Sequence, residues 1–347
     1  MGGGQIKNPG ALVTQPGLGN RYATAAGNFT LSHANRHDQD TRGLALALHG
    51  RWHGRYGTAP CPICQSEGRR DQDALTLTDG RNGRLVLHCK KSGCAFTDIL
   101  AAAGLRSGDY RAPDPAVIAQ REAEAKAESQ RKAAQAKRLW DEAQPIDGTP
   151  AETYLRGRGI TCQLPSTLRY HEGCWHGPTA KRYPALIATV QGAGLPAVHR
   201  TYLRADGSGK ADLDSAKLML GATAGGAVRL TEGPGPLAVT EGIETGLSLA
   251  SGLLRTPATV WAALSTSGIR GLHLPDHPGR LTIATDGDAA GRAAGHVLAT
   301  RAHALGWQVS VLPAPEGRDW NDILNEHPNR KPSLSLSQMS QMSQGGA

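Results

Sequence analysis

Four cysteines in two close pairs are the first residues of this sequence whose type and spacing could do chemistry. Cys61-Pro62-Ile63-Cys64 is followed by Cys89-Lys90-Lys91-Ser92-Gly93-Cys94. Two such pairs at the ends of a hairpin bring four thiolates into the tetrahedron of a zinc ion, and a closed four-ligand site is structural rather than catalytic. Gly93 supplies the turn inside the second pair; free or buried thiols would need neither that glycine nor the close spacing. His88 is an alternative ligand, although in a strand its side chain points to the face opposite that of Cys89. Arg69, Arg70, Arg84, Lys90 and Lys91 surround the pairs and could either contact a single-stranded template or only solvate the site. Cys162 and Cys174 have no close partner. With His171 and His176 nearby they could form a second metal site, but we read them as structural.

The second chemical group is acidic. Pro236-Leu237-Ala238-Val239-Thr240 reads as a buried strand that ends on Glu241-Gly242, with a helical pattern from there to Leu253. The layout recurs where Arg280-Leu281-Thr282-Ile283-Ala284-Thr285 ends on Asp286-Gly287-Asp288, followed by Ala289-Ala290-Gly291-Arg292 and a helix to Leu305. Residues 258–263 and 307–312 read as two further strands. Strands alternating with helices imply a parallel sheet, whose ligands bind at the carboxyl ends of the strands. Gly317-Arg318-Asp319-Trp320-Asn321-Asp322 adds two acids after the last strand, at the same edge. Five carboxylates in one place repel unless cations neutralise them, and magnesium takes oxygen ligands while keeping waters for phosphate. One or two magnesium ions are therefore expected. Singly, Asp-Gly-Asp is an ordinary turn and Glu241 a favourable helix N-terminal acid; their order, each at a strand end, carries the metal assignment.

The elements that must position these groups follow from pattern. Residues 1–37 are rich in Gly, Asn, Thr and Ala and read as disordered. Residues 38–108 form a zinc-ribbon domain: an apolar stretch at 44–48, then Leu75-Thr76-Leu77-Thr78 and Leu85-Val86-Leu87 as strands joined by the turn Asp79-Gly80-Arg81-Asn82-Gly83. Residues 109–148, mostly Ala, Glu, Lys, Arg and Gln, read as a helical linker, and 329–347 as a disordered Ser/Gln/Met tail. No apolar run approaches membrane-spanning length, and the first residues lack a signal-peptide pattern, so a cytoplasmic protein with reduced thiols and no membrane partner is expected. The 347 residues carry a net charge of +8, which favours polyanionic partners. With 4% aromatic residues, contact with single-stranded nucleic acid should be mainly electrostatic. Gly207-Ser208-Gly209-Lys210-Ala211 lacks the earlier glycine and the following Ser or Thr of an ATPase phosphate loop.

Glu241-Gly242, Asp286-Gly287-Asp288-Ala289-Ala290-Gly291 and Arg318-Asp319-Trp320-Asn321-Asp322, preceded by the cysteine pairs, resemble the TOPRIM primases of bacteria, phages and plasmids with their N-terminal zinc-binding domain. The resemblance spans residues 40–325. It implies an α/β fold with a zinc-ribbon β-hairpin domain, a helical linker, a primase N-terminal catalytic subdomain at 149–230, and a Rossmann-like TOPRIM parallel sheet with flanking helices at 231–328. It implies primer synthesis on single-stranded DNA from nucleoside triphosphates by magnesium-dependent phosphoryl transfer, with manganese able to substitute. Glu241, Asp286 and Asp288 would be the core ligands and Asp319 and Asp322 would support a second ion. Arg200, Lys210 and Lys217 would contact nucleotide or template phosphates. Cys64 stands where many relatives place histidine, and Glu244-Thr245 where bacterial primases usually have an aspartate. A replicative helicase would be a separate chain. A TOPRIM nuclease and a non-catalytic zinc-ribbon DNA-binding protein are the rival expectations.

Overall fold

The structure, a computed structural model, describes residues 40–66, 73–80, 84–105, 110, 112–254 and 256–326. The two ends expected to be disordered, together with Arg69, Arg70 and residues 81–83 of the hairpin turn, lie outside the described residues. The chain divides into two compact units, the first ending at Ala125 and the second beginning at Lys126.

In the first unit the apolar stretch at 44–48 lies largely in helix α1 (Thr41–Ala47), started by Asp40, whose side chain accepts from the Gly43 N–H at 2.7 Å. Its Leu44, Ala45 and Leu48 are buried against an antiparallel sheet of β1 (Arg51–Trp52), β2 (Tyr56–Ala59), β3 (Leu75–Asp79) and β4 (Leu85–Cys89), in that order. The expected alternation holds in β3, where Leu75 and Leu77 are fully buried between half-exposed threonines. Helix α2 (Phe96–Ala102) follows the second cysteine pair. Helix α3 spans Pro115–Glu142. Within the first unit its Arg121 pairs with Asp40 and lies over the Trp52 ring.

The second unit holds two sheets. The first is antiparallel throughout, in the order β5 (Gln144–Pro145), β6 (Leu168–His176), β7 (Lys181–Val190), β8 (Ala197–Tyr202) and β9 (Lys217–Leu220). Ala136 and Ala143, with Leu139 and Trp140 of α3, pack on Cys174, Ile187 and Tyr202. The short helix α4 (Pro150–Gly157) covers part of the other side through Tyr154 and Leu155.

The second sheet runs β10 (Val228–Thr231), β12 (Thr259–Ala262), β11 (Leu237–Thr240), β13 (Arg280–Thr285) and β14 (Gln308–Pro313). The four strands expected from the sequence are parallel; β10 adds an antiparallel edge strand beside β12. Every residue of β11 is buried, as befits a central strand covered on both faces. Helices α5 (Ile243–Ser248), α6 (Thr266–Gly271), α7 (Ala289–Ala304) and α8 (Trp320–Glu326) complete this layer. The pattern after α5 runs to Leu253 as expected, but the chain departs from helical geometry at Ser251 and Gly252. There the Ser251 hydroxyl accepts from the N–H groups of Thr161 and Cys162. One apolar core joins the two sheets through Leu155, Leu186 and Val190 on one side and Leu230, Leu247 and Val260 on the other. Each such fully buried side chain contributes about 1.5–3 kcal/mol. No helix among the described residues is long and apolar enough to cross a membrane.

Candidate metal centres and catalytic edge

The parallel strands bring their acidic ends together. Glu241 follows β11 and Asp286 follows β13, neighbours in register. Burial, then the charges of Asp286 and Asp288, raises Glu241 above the ordinary carboxylate range, with Lys217 opposing. Burial, then the charges of Asp319 and Asp288, raises Asp286 likewise, opposed by the Thr245 hydroxyl and Lys217. Thr245 Oγ1 donates to Asp286 Oδ1 at 3.4 Å. Glu241, Asp286, Asp288 and Asp319 therefore share one electrostatic neighbourhood.

Local sequence explains how the loops hold them. Asp288 caps α7, accepting from the Gly291 N–H at 2.6 Å, and Arg292 donates to the Gly287 carbonyl at 2.8 Å. Gly287 donates its N–H to the Arg318 carbonyl at 2.8 Å and accepts from the Gly317 N–H at 3.2 Å. A Cβ at Gly287 would stand 1.8 Å from the Pro315 carbonyl oxygen, so only glycine lets the loop bearing Asp319 approach. Asp319 Oδ1 accepts from the N–H groups of Asn321 and Asp322, and Asp322 Oδ2 accepts from the Asp319 N–H at 3.0 Å. This is a reciprocal capping box at the start of α8. Asp319 reaches the shared edge, whereas the Asp322 carboxylate is turned to the Asp319 backbone.

The basic residues expected at phosphates occupy two settings. Lys210 and Lys217 converge on Glu244, at 3.8 and 2.9 Å. Arg200 donates to the carbonyls of Trp175 and Met219, at 3.3 and 3.1 Å. Lys210 belongs to the glycine-rich turn between β8 and β9, which bridges Leu203 to Lys210. Glu244 itself is buried in α5 and also accepts the Tyr154 hydroxyl at 2.9 Å. Burial alone would raise it, but Lys217 and Lys210 outweigh burial and hold it far below the ordinary range.

The four thiols of the first unit form the one group of metal-ligand atoms among the described residues that all lie within 4.8 Å of one another. Cys61 and Cys64 follow β2, Cys89 ends β4, and Cys94 precedes α2. Gln65 Oε1 ties the pairs' flanks by accepting from the N–H groups of Cys61 and Ala74. Gly93 takes the left-handed conformation, φ +61°, as the turn demands. Cys64 Sγ is 3.5 Å from Cys89 Sγ, close to the ~3.8 Å edge of a tetrahedron with zinc–sulfur bonds of about 2.3 Å. Desolvation raises Cys89, but the N–H groups of Ser92 and Cys94 outweigh it and bring the thiol down to about 6. Cys94 is pushed up to about 12 by desolvation and by its neighbouring sulfurs. One thiolate thus forms readily and opposes the next, a conflict that a divalent cation resolves. His88 is exposed and pairs across the sheet with Thr76, while Cys89 opposite Leu75 is buried. Cys174 is buried and Cys162 half-buried, burial raises both thiols, and His176 is held by Thr179 and the Ser215 carbonyl.

Residues 236–329 match a family described as Toprim domain, and residues 130–230 match a domain of unknown function. The chain carries a Toprim domain. Among solved structures, it is similar to the Aquifex aeolicus primase zinc-binding and RNA polymerase domains, at 15% identity and TM-score 0.39, over 80% of this chain and 77% of that one. It is also similar to a DNA primase domain from Pseudomonas aeruginosa, at 16% identity and TM-score 0.34, over 61% and 78%. The RNA polymerase domain of Mycobacterium tuberculosis primase matches at 17% and TM-score 0.35, over 60% and 84%. No curated protein matches the chain.

The Toprim acids suit magnesium by their chemistry: oxygen donors only, partly buried, mutually repelling, and accessible enough to leave room for water and phosphate. Several residues that shape this site carry no motif in the sequence. Tyr154 and Arg158, whose Nη2 lies 4.0 Å from Asp319, stand outside every recognisable pattern. By sequence Glu244 stands out, with Thr245, only as a departure from aspartate; that the helix Ile243–Ser248 is buried throughout is what shows its charge needs partners.

Proposed function

We propose that this chain is a DNA primase-like nucleotidyltransferase that makes short primers on single-stranded DNA. The observation that carries this is the cluster of Glu241, Asp286, Asp288 and Asp319 at the carboxyl edge of the Toprim sheet, with the Lys217 charge felt by both Glu241 and Asp286. Glu241, Asp286 and Asp288 would hold magnesium, and Asp319 and Asp322 would support a second ion. Magnesium held there would neutralise triphosphate charge as a 3′-hydroxyl displaces pyrophosphate from the α-phosphorus. The chain's own part is to gather the acids, place Lys217 beside them with Lys210 next to it for phosphate, and add positive charge through Arg200. The four-cysteine domain would hold zinc and meet template through Arg84, Lys90 and Lys91. A replicative helicase would act as a separate partner, and the cytoplasm is the proposed location.

The test is primer synthesis on single-stranded DNA with labelled nucleotides and magnesium. Short oligonucleotides should form with the wild type, vanish with Asp286→Ala, and initiate less often with Cys89→Ser. Cutting of the DNA in an Asp286-dependent way, without synthesis, would instead establish a Toprim nuclease. Neither activity would point to a DNA-binding module.

A further inference from the structure

The buried Glu244 has a role that its neighbours define. Its side chain is 7% exposed, yet it accepts from Lys217 Nζ and from the Tyr154 hydroxyl, each at 2.9 Å, and forms an ion pair with Lys210 Nζ at 3.8 Å. The two lysines come from different segments, the turn before β9 and β9 itself, and both keep 37% of their side chains open. Two ammonium groups side by side repel, and alone they would splay into solvent with several rotamers each. One carboxylate beneath them leaves the trio at net +1 and fixes both stems. Tyr154 in turn fixes the carboxylate, so both of its oxygens are partnered, the condition under which a buried ion pair persists. His199 lies beside the same group, 5% exposed with Nδ1 unpartnered. The Lys217 charge also reaches Glu241 and Asp286.

We propose that Glu244 is a positioning residue: it pins Lys210 and Lys217 as a pair aimed at the terminal phosphates of a nucleoside triphosphate, and thereby sets the preference for triphosphate over monophosphate. This rests on the nucleotidyl-transfer function proposed above. A magnesium-bound edge needs cations only where the phosphate chain extends beyond the metal. Pinned lysines meet that chain without losing rotamer freedom on binding. The pair is therefore worth more to ATP than to AMP.

The experiment is calorimetric titration of the full chain with ATP and with AMP, both with magnesium. The wild type should prefer ATP. Glu244→Gln should weaken ATP about 10-fold, a loss of about 1.4 kcal/mol, and leave AMP unchanged; Tyr154→Phe should weaken ATP about 3-fold. In a Lys210→Gln/Lys217→Gln background, Glu244→Gln should cause no further loss, because it acts only through the lysines. If Glu244→Gln fails to fold, the Tyr154→Phe ratio decides in its place. An unchanged ATP-to-AMP ratio in the variants, or losses that multiply in the lysine-free background, would overturn the positioning role while leaving the proposed function intact. A wild type that binds neither nucleotide would overturn both.

Discussion

At neutral pH the ionised carboxylate of Asp286 works against the fold that holds it, because burial and the charges of Asp319 and Asp288 favour its protonated form. A folded value above the unfolded one means that this group's contribution to stability is complete below the unfolded value and lost as pH rises through the folded one. Asp286→Asn should therefore raise the melting temperature of the metal-free protein. Magnesium should stabilise the wild type and not the variant, and thermal melts in chelator and in magnesium read both outcomes. His199 provides the opposite sign. Burial first, then Lys217, holds it down to about 4 from its ordinary 6.5. The unfolded chain then binds the extra proton between those values, so stability falls as pH drops from 6.5 toward 4. Urea unfolding at pH 7 and pH 5 should differ by about 2 kcal/mol more in the wild type than in His199→Phe. The cysteine pairs and the acids were legible because each is set by local spacing or by a strand end. Glu244 was not, because its partners Tyr154, Lys210 and Lys217 stand far away in sequence and no local pattern announces their meeting.

Elements were legible where periodicity matched burial on one face, as in β3, or on both, as in β11. The helical start at α1 was hidden in a stretch that showed only apolarity, and the antiparallel edge strand β10 is set by pairing with β12, a tertiary fact. Two predictions belong at this scale. Gly287→Ala forces the 315–318 loop away from the turn after β13, since a Cβ has 1.8 Å to the Pro315 oxygen. It should cost about 2 kcal/mol or more and remove magnesium stabilisation, seen in the same melts, by separating Asp319 from Asp286. Removal by chelator of the zinc proposed for the four thiols should unfold the four-stranded sheet of the first unit, since metal binding in such small domains supplies about 10–16 kcal/mol. Hydrogen exchange should then rise across β2, β3 and β4 while β11 and β13 keep their protection.

At the scale of the whole molecule, the charge surplus of +8 predicts salt-sensitive contact with single-stranded DNA. With about three phosphate contacts, affinity should fall at least ~10-fold between 50 and 200 mM salt, measurable by fluorescence anisotropy; a flat salt response would rule out electrostatic binding. Helix α8 also sets a limit on how this protein can be shortened. It is only seven residues long, and Asn321 Nδ2 donates from it to the Arg158 carbonyl and to Ser248 Oγ. A variant trimmed after β14 would keep every strand of the Toprim sheet and still lose an acid of the edge together with the peg that joins α4's end to α5. A truncation intended to spare the chemistry therefore has to keep the chain through Glu326, because this short helix is a keystone rather than an appendage.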